Sequence, residues 1–79
     1  MRVRYFAAAA EAAGREEETI AGSRTLGDLR AHLTDTYGAE FTGVLGRCSI
    51  MVDGTRGAED DLVLADSATV DVLPPFAGG

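Results

Sequence analysis

The sequence has no lysine and no tryptophan, one histidine, one cysteine and two prolines in 79 residues. Each shortage excludes something. All seven basic residues are arginines. No side-chain amine is therefore available for Schiff-base or isopeptide chemistry, and the α-amino group of Met1 stands alone. The single Cys48 cannot form a disulfide within the chain. No cysteine cluster exists for zinc or iron–sulfur, which rules out ferredoxin-type electron transfer and leaves no metal site. Cys48 lies in the apolar run Cys48–Val52 and reads as a small buried hydrophobe. Its neighbour Arg47 is expected on the opposite face of a strand. His32 falls between Leu29 and Leu33 on the exposed side of a helical pattern, with no serine or cysteine constellation to make a triad. Basic charge is scarce too: thirteen acidic residues against seven basic give −6. That balance disfavours nucleic acid and suits docking on a basic surface. No apolar run spans a bilayer and no signal peptide is recognisable, Ala7–Ala10 being too short, so a cytoplasmic protein without membrane contact is expected.

What is present fits one small domain. A chain of this length buries only about 60% of the surface its unfolded form exposes. Such a thin core favours a carrier or binding module over a self-contained enzyme. Met1–Phe6 alternates as a strand, with Val3 and Tyr5 on one face. Ala7–Ala13 has a strong helical composition and Gly14 ends it. Glu17–Ala21 is a second strand, with glutamates on its exposed side. Thr25 reads as an N-cap, with Asp28 in the first turn. Leu26, Leu29, Leu33 and Tyr37 then form one apolar stripe, and Gly38 is the stop. Residues 39–46 read as a loop carrying Phe41, Val44 and Leu45. Arg47–Val52 is a third strand closed by Asp53-Gly54. Leu62, Leu64 and Ala65 suggest one helical turn, and Thr69–Leu73 is the last strand. The order implies an α+β fold: a β-grasp, ubiquitin-like, with a mixed four- to five-stranded sheet and one long helix across one face. The helix face would hold Val3, Tyr5, Ile20, Cys48, Ile50, Val52, Val70 and Val72. Phe6 and Leu73 would then face away, with Met51 beside them, as an exposed apolar patch of the kind that marks a partner site.

Residues 1–73 form the expected domain and residues 74–79 an extended tail, Pro74-Pro75-Phe76-Ala77-Gly78-Gly79. Two prolines stiffen the exit. Phe76 is an apolar anchor without an obvious core place. Ala77, Gly78 and Gly79 shed nearly all side-chain bulk, and six residues reach about 20 Å when extended. A thin tip of this kind suits a narrow channel and lets a partner's atoms approach the backbone closely. The group presented at its end is the carboxylate of Gly79. Activation as an acyl-adenylate, followed by displacement of AMP by a sulfur nucleophile, would convert it to a thiocarboxylate.

These features resemble the MoaD/ThiS family of ubiquitin-like sulfur carriers, and within it the MoaD branch. The likeness is carried by Val3-Arg4-Tyr5-Phe6-Ala7, by Gly14 and by the ending Leu73-Pro74-Pro75-Phe76-Ala77-Gly78-Gly79. The resemblance implies that Gly79 is the thioglycine and that Pro75, Phe76, Ala77 and Gly78 enter a partner. It implies that Phe6, Leu73 and Met51 belong to the partner surface. It implies a MoeB-like enzyme that adenylates Gly79 with ATP and magnesium, a persulfide sulfur donor, and a MoaE-like large subunit joined in a heterotetramer. The chain would bind no cofactor itself, would not catalyse alone, and would serve molybdenum cofactor biosynthesis as the small subunit of molybdopterin synthase, giving its sulfur to cyclic pyranopterin monophosphate. Two departures stand out. The family's Leu-Arg-Glu after the first strand reads Ala9-Ala10-Glu11, and its Asp-Gly-Asp-Glu-Val reads Asp66-Ser67-Ala68-Thr69-Val70. The first removes an arginine that contacts the large subunit in the family. Carriers for thiamin, cysteine or secondary metabolites, and protein modifiers joined to lysines through Gly79, share the same chemistry.

Overall fold

The computed structural model describes residues 1–57 and 59–75. Alternation makes β1 (Arg2–Tyr5), whose Val3 and Tyr5 are buried while Arg2 and Arg4 look outward. The chain then turns sharply. Ala7 takes φ 49°, a left-handed conformation rare for a residue with a Cβ, and starts α1 (Ala7–Ala13) directly after Phe6. Gly14, at φ 76°, ends α1 and donates its N–H to the Ala10 carbonyl. β2 (Glu17–Thr19) pairs antiparallel with β1, and Ile20 continues it by donating to the Met1 carbonyl.

The capping expectation at Thr25 is met by a reciprocal box. Thr25 Oγ1 accepts from the Asp28 N–H at 3.2 Å, and Asp28 Oδ2 accepts from the Thr25 N–H at 3.2 Å. α2 (Leu26–Tyr37) follows, with Leu26, Leu29 and Leu33 buried on one stripe. Gly38, at φ 85°, ends α2 and begins α3 (Ala39–Leu45). Here the expected loop over 39–46 is corrected to a helix. Phe41 and Leu45, four residues apart, fall on one face and are buried in the core. Thr42 and Gly43 dilute the helical composition, so tertiary burial rather than propensity holds this segment.

β3 (Ser49–Val52) and β4 (Thr55–Gly57) form a hairpin over Asp53-Gly54. Both turn residues have positive φ, 49° and 82°, the pattern of a two-residue primed turn. The same Asp53 anchors the next strand: its Oδ1 accepts from the Thr69 N–H at 2.9 Å and its own N–H donates to the Thr69 carbonyl at 2.8 Å. β4 was not separately legible because its inward residue is Gly57. A Cβ there would meet Leu62 Cδ2 at 3.1 Å and Val52 Cγ2 at 3.2 Å, so this strand carries no side chain on the core side at that position. The helical turn expected at Leu62–Ala65 is corrected as well. Val63 bridges Thr25, Leu26 donates to the Leu62 carbonyl and Leu64 to the Arg24 carbonyl, so the segment is extended.

β5 (Thr69–Leu73) completes a five-stranded mixed sheet in the order β2-β1-β5-β3-β4. β5 is central, parallel to β1 and antiparallel to β3. The protein is therefore a ubiquitin-like β-grasp, with two short helices beside the long one. The core is one cluster of Val3, Tyr5, Ile20, Ile50, Val70 and Val72 with the stripe of α2 and with Phe41 and Leu45. Cys48 and Val52, expected in it, are partly buried at its margin. No helix among the described residues is long and apolar enough to cross a membrane.

Candidate functional site

The tail leaves the sheet from its central strand, so the residues around the end of β5 define the site. On the open face of the sheet, Phe6 lies beside Leu73: β1 and β5 run parallel with Tyr5 opposite Val72, and the Phe6 N–H donates to the Val72 carbonyl at 3.2 Å. Met51 pairs with Asp71 and so sits diagonally next to Leu73. Phe6 is 36% exposed, and Leu73 and Met51 are half-buried. The three side chains expected at a partner surface thus form one short apolar line at the tail end.

Behind that line the open face is charged. Arg4 forks onto Asp71, with Nε to Oδ1 at 2.6 Å and Nη2 to Oδ2 at 2.8 Å. The Asp71 hydrogen bonds raise the Arg4 pKa, so this cation is permanent. Arg4 also stands over the Phe6 ring at 5.9 Å. Arg2 bonds Glu17, and this hydrogen bond holds the Glu17 carboxyl below its ordinary range. Among the described residues, the open face thus carries two arginine–carboxylate pairs, Arg4–Asp71 and Arg2–Glu17, behind the apolar line, with Arg56 opposite Met51.

On the other side of the tail root lies a notch of about 280 Å³, lined by Ala7, Ala8, Val44, Arg47, Pro74 and Pro75. The strained Ala7 and the alanine-only start of α1 keep this wall thin. Of the tail residues expected to enter a partner, Pro75 is exposed at the notch. Phe76, Ala77, Gly78 and Gly79, the last expected to be the reactive residue, lie outside the described residues.

Cys48 is half-buried beneath α3, and its thiol donates to the Val44 carbonyl at 3.2 Å. Burial raises its pKa, and the nearby Arg47 and Arg30 offset this only in part. Arg47 is not on a strand, as expected from sequence, but in the turn that ends α3, its N–H bonded to the Val44 carbonyl. His32 is exposed on α2.

The sequence reading missed Glu18. It was expected outward with the other glutamates of β2, yet it faces the helices. Its Oε2 accepts from the Tyr5 hydroxyl at 2.7 Å and from the Tyr37 hydroxyl, and Arg15 Nη1 lies 3.6 Å from Oε1. Tyr5, Tyr37 and Phe41 pack together with centroid separations of 5.0–6.0 Å. Alternation contained the signal: Glu18 pairs with Val3, a core residue, and two tyrosines elsewhere in the chain needed an acceptor. Among the described residues, no group of three or more His, Cys, Asp or Glu could hold a metal ion.

A five-stranded mixed sheet with its last strand central and helices packed on one face defines the ubiquitin-like β-grasp class. Within that class, this chain belongs to the ThiS family, which matches residues 3–79. No curated protein matches it. Solved structures do. SAMP1 from Haloferax volcanii is similar at 25% identity and TM-score 0.77, covering 100% of this chain and 98% of that one. A chain in the complex of subunits 1 and 2 of the molybdopterin-converting factor from Helicobacter pylori is similar at 27% and 0.75, covering 99% and 96%. The small archaeal modifier protein 1 from Methanosarcina acetivorans is similar at 28% and 0.79, covering 99% and 94%. The chain is thus a ThiS/MoaD-type domain related both to a molybdopterin-converting factor and to protein modifiers.

Proposed function

We propose that the chain is a sulfur carrier whose C-terminal Gly79 is adenylated and then converted to a thiocarboxylate, and that it donates this sulfur as the small subunit of a molybdopterin synthase. The observation that carries the reading is the family match, which runs through the Gly78-Gly79 ending. The geometry at the tail root supports it. A central strand, held on both sides by neighbouring strands, gives the tail a fixed origin, and Phe6, Leu73 and Met51 offer apolar contact beside it. The carboxylate of Gly79 attacks the α-phosphorus of ATP and pyrophosphate leaves. The terminal sulfur of a donor persulfide then attacks the acyl carbon and AMP leaves, and a thiolate on the donor protein cleaves the resulting acyl disulfide at its S–S bond, releasing the thiocarboxylate and leaving a disulfide on the donor. A MoeB-like enzyme would supply the ATP site and magnesium, and a MoaE-like large subunit the pterin site.

A second reading has its own support. The similar structures include small archaeal modifier protein 1 from two archaea, Haloferax volcanii and Methanosarcina acetivorans, which favours transfer of the activated glycyl group to a lysine of another protein. Intact mass after incubation with ATP, magnesium, a MoeB-like enzyme and a sulfur donor tests the shared step. A gain of about 16 Da, oxygen replaced by sulfur, is expected for the thiocarboxylate. Deleting Gly79, or adding one residue after it, should abolish the gain without unfolding the domain. An extended variant that still gains sulfur would sink the mechanism. The thiocarboxylate should convert the precursor pterin when the large subunit of a molybdopterin-converting factor is added. Isopeptide-linked ladders in cell extract, without that conversion, would favour the modifier.

A further inference from the structure

The open face of the sheet carries a charge balance opposite to that of the whole chain. One cross-strand row runs Glu17, Arg4, Asp71, Met51, Arg56, each residue opposite the next. Among the strand residues of this face, three arginines (Arg2, Arg4 and Arg56) stand with two carboxylates, Glu17 and Asp71. The helix side is acidic instead, with Glu11, Asp35 and Glu40 exposed on α1, α2 and α3. The overall charge of −6 therefore does not describe the surface beside the tail.

Two of the three arginines are satisfied. Arg2 bonds Glu17, and Arg4 takes both oxygens of Asp71. Arg56 is exposed on β4, at the edge of the sheet. Met51 stands between it and Asp71, two strand spacings or about 10 Å away. Among the described residues, no carboxylate pairs with its guanidinium. Phe6, Leu73, Met51 and Arg56 thus follow a diagonal from the end of β1 across β5 and β3 to β4. Three apolar side chains lead to one uncompensated cation. A guanidinium stays charged, and covering it with an apolar surface is strongly unfavourable. A carboxylate placed against it instead forms a short, charge-assisted pair that fixes orientation.

We propose that the large partner subunit docking on Phe6, Leu73 and Met51 presents an aspartate or glutamate to Arg56, and that this pair selects the partner and sets its orientation on the sheet. The inference rests on the reading that the chain works with such a subunit. The apolar line gives contact without direction. Arg56, at one end of the line, distinguishes its two ends and rejects a surface that brings a cation there.

The absence of lysine makes a site-specific test available. Arg56→Lys keeps the charge and supplies the single side-chain amine. The substituted chain is mixed with the large subunit of a molybdopterin-converting factor from the same organism, and a water-soluble carbodiimide is added. The carbodiimide activates a carboxylate and leaves as its urea, while the amine forms the C–N bond, so the joined chains lose one water. Peptide mass spectrometry should place the new amide between position 56 and one aspartate or glutamate of the subunit. Arg24→Lys, off the sheet, should couple about tenfold less. Arg56→Glu should slow association about tenfold at low salt, with a smaller loss at high salt and no change in the unfolding midpoint. Replacing the mapped carboxylate of the subunit by lysine should restore binding to Arg56→Glu. Coupling no greater than for Arg24→Lys, or unchanged association of Arg56→Glu, overturns the proposal. Coupling to a MoeB-like enzyme and not to the large subunit overturns the choice of partner. If the pair and its charge-swap rescue hold but Gly79 gains no sulfur, the reading of function fails and the Arg56 contact stands. If sulfur is gained but the unsubstituted chain does not bind the large subunit, the contact fails and the carrier step stands.

Discussion

The two faces of β5 do different work. Val70 and Val72 look into the core and are fully buried, while Asp71 and Leu73, on the alternate positions, look out and are half-covered. The inner face excludes water and fixes the origin of the tail. The outer face carries the Arg4–Asp71 fork and then, at the tail, the apolar line of Phe6, Leu73 and Met51. Core packing and the candidate partner surface are thus separated across the thickness of one strand. Substitutions on the inner face should act on folding, and those on the outer face on partners.

The largest effect expected on folding comes from the inner face. Val72→Ala removes two buried methyl groups and leaves a cavity, and should cost roughly 2–3 kcal/mol in urea unfolding. Leu73→Ala, one residue on, should cost less than about 1 kcal/mol. Equal losses at the two positions would break the comparison.

The polar part of the inner face can be sharpened by pH. Tyr5 is held above the ordinary phenol range by burial first and by its hydrogen bond to Glu18 second, and Tyr37 is raised by the same causes. A raised pKa in the folded state means stability that is complete below the unfolded value, about 10. It is lost as pH rises from there toward the folded values. Phenolate absorbance in the native chain should therefore stay low just above pH 10 and rise together with unfolding. Tyr5→Phe should cost about 1 kcal/mol at neutral pH through the lost bond to Glu18 and should flatten part of the alkaline fall. Free titration of both phenols near 10, with the fold intact, would contradict the cluster.

The smallest effect on folding is expected on the outer face. Phe6→Asp should change stability by no more than about 0.5 kcal/mol while weakening binding to a large partner subunit, measured by calorimetry against the thiocarboxylated chain. If Phe6→Asp instead melts the protein, Phe6 belongs to the core.

Much of this organisation was legible in sequence. The period of two in Val3/Tyr5 and Val70/Val72, the capped stripe of α2 and the Asp53-Gly54 turn each carry a local physical signal, and each led to the right element. The failures were of one kind. α3 was read as a loop, Leu62–Ala65 as a helical turn, and β4 was not separated. Short segments carry too few residues for a period to register, and their conformation is decided by the burial of Phe41 and Leu45, by the Thr25–Val63 bridge and by the bare Gly57. Glu18 failed for a related reason: a carboxylate reads as exposed until the two phenols that accept its company are known.

The sequence by itself determined the class: a β-grasp with a tapering tail ending Gly78-Gly79, an acidic surface without lysine, and one cysteine unable to form a cluster. These are properties of composition and short-range pattern. Tertiary structure alone decided which residues share the tail root. It brought Phe6 and Leu73 side by side from opposite ends of the chain, set Arg47 in the notch with Pro74 and Pro75, and placed Met1 at the far end of the sheet from the tail. Parallel pairing of β1 with β5 does the first and third, antiparallel pairing of β3 with β5 (Ser49 opposite Leu73) does the second, and such pairing is set by long-range burial that no local stretch of sequence encodes.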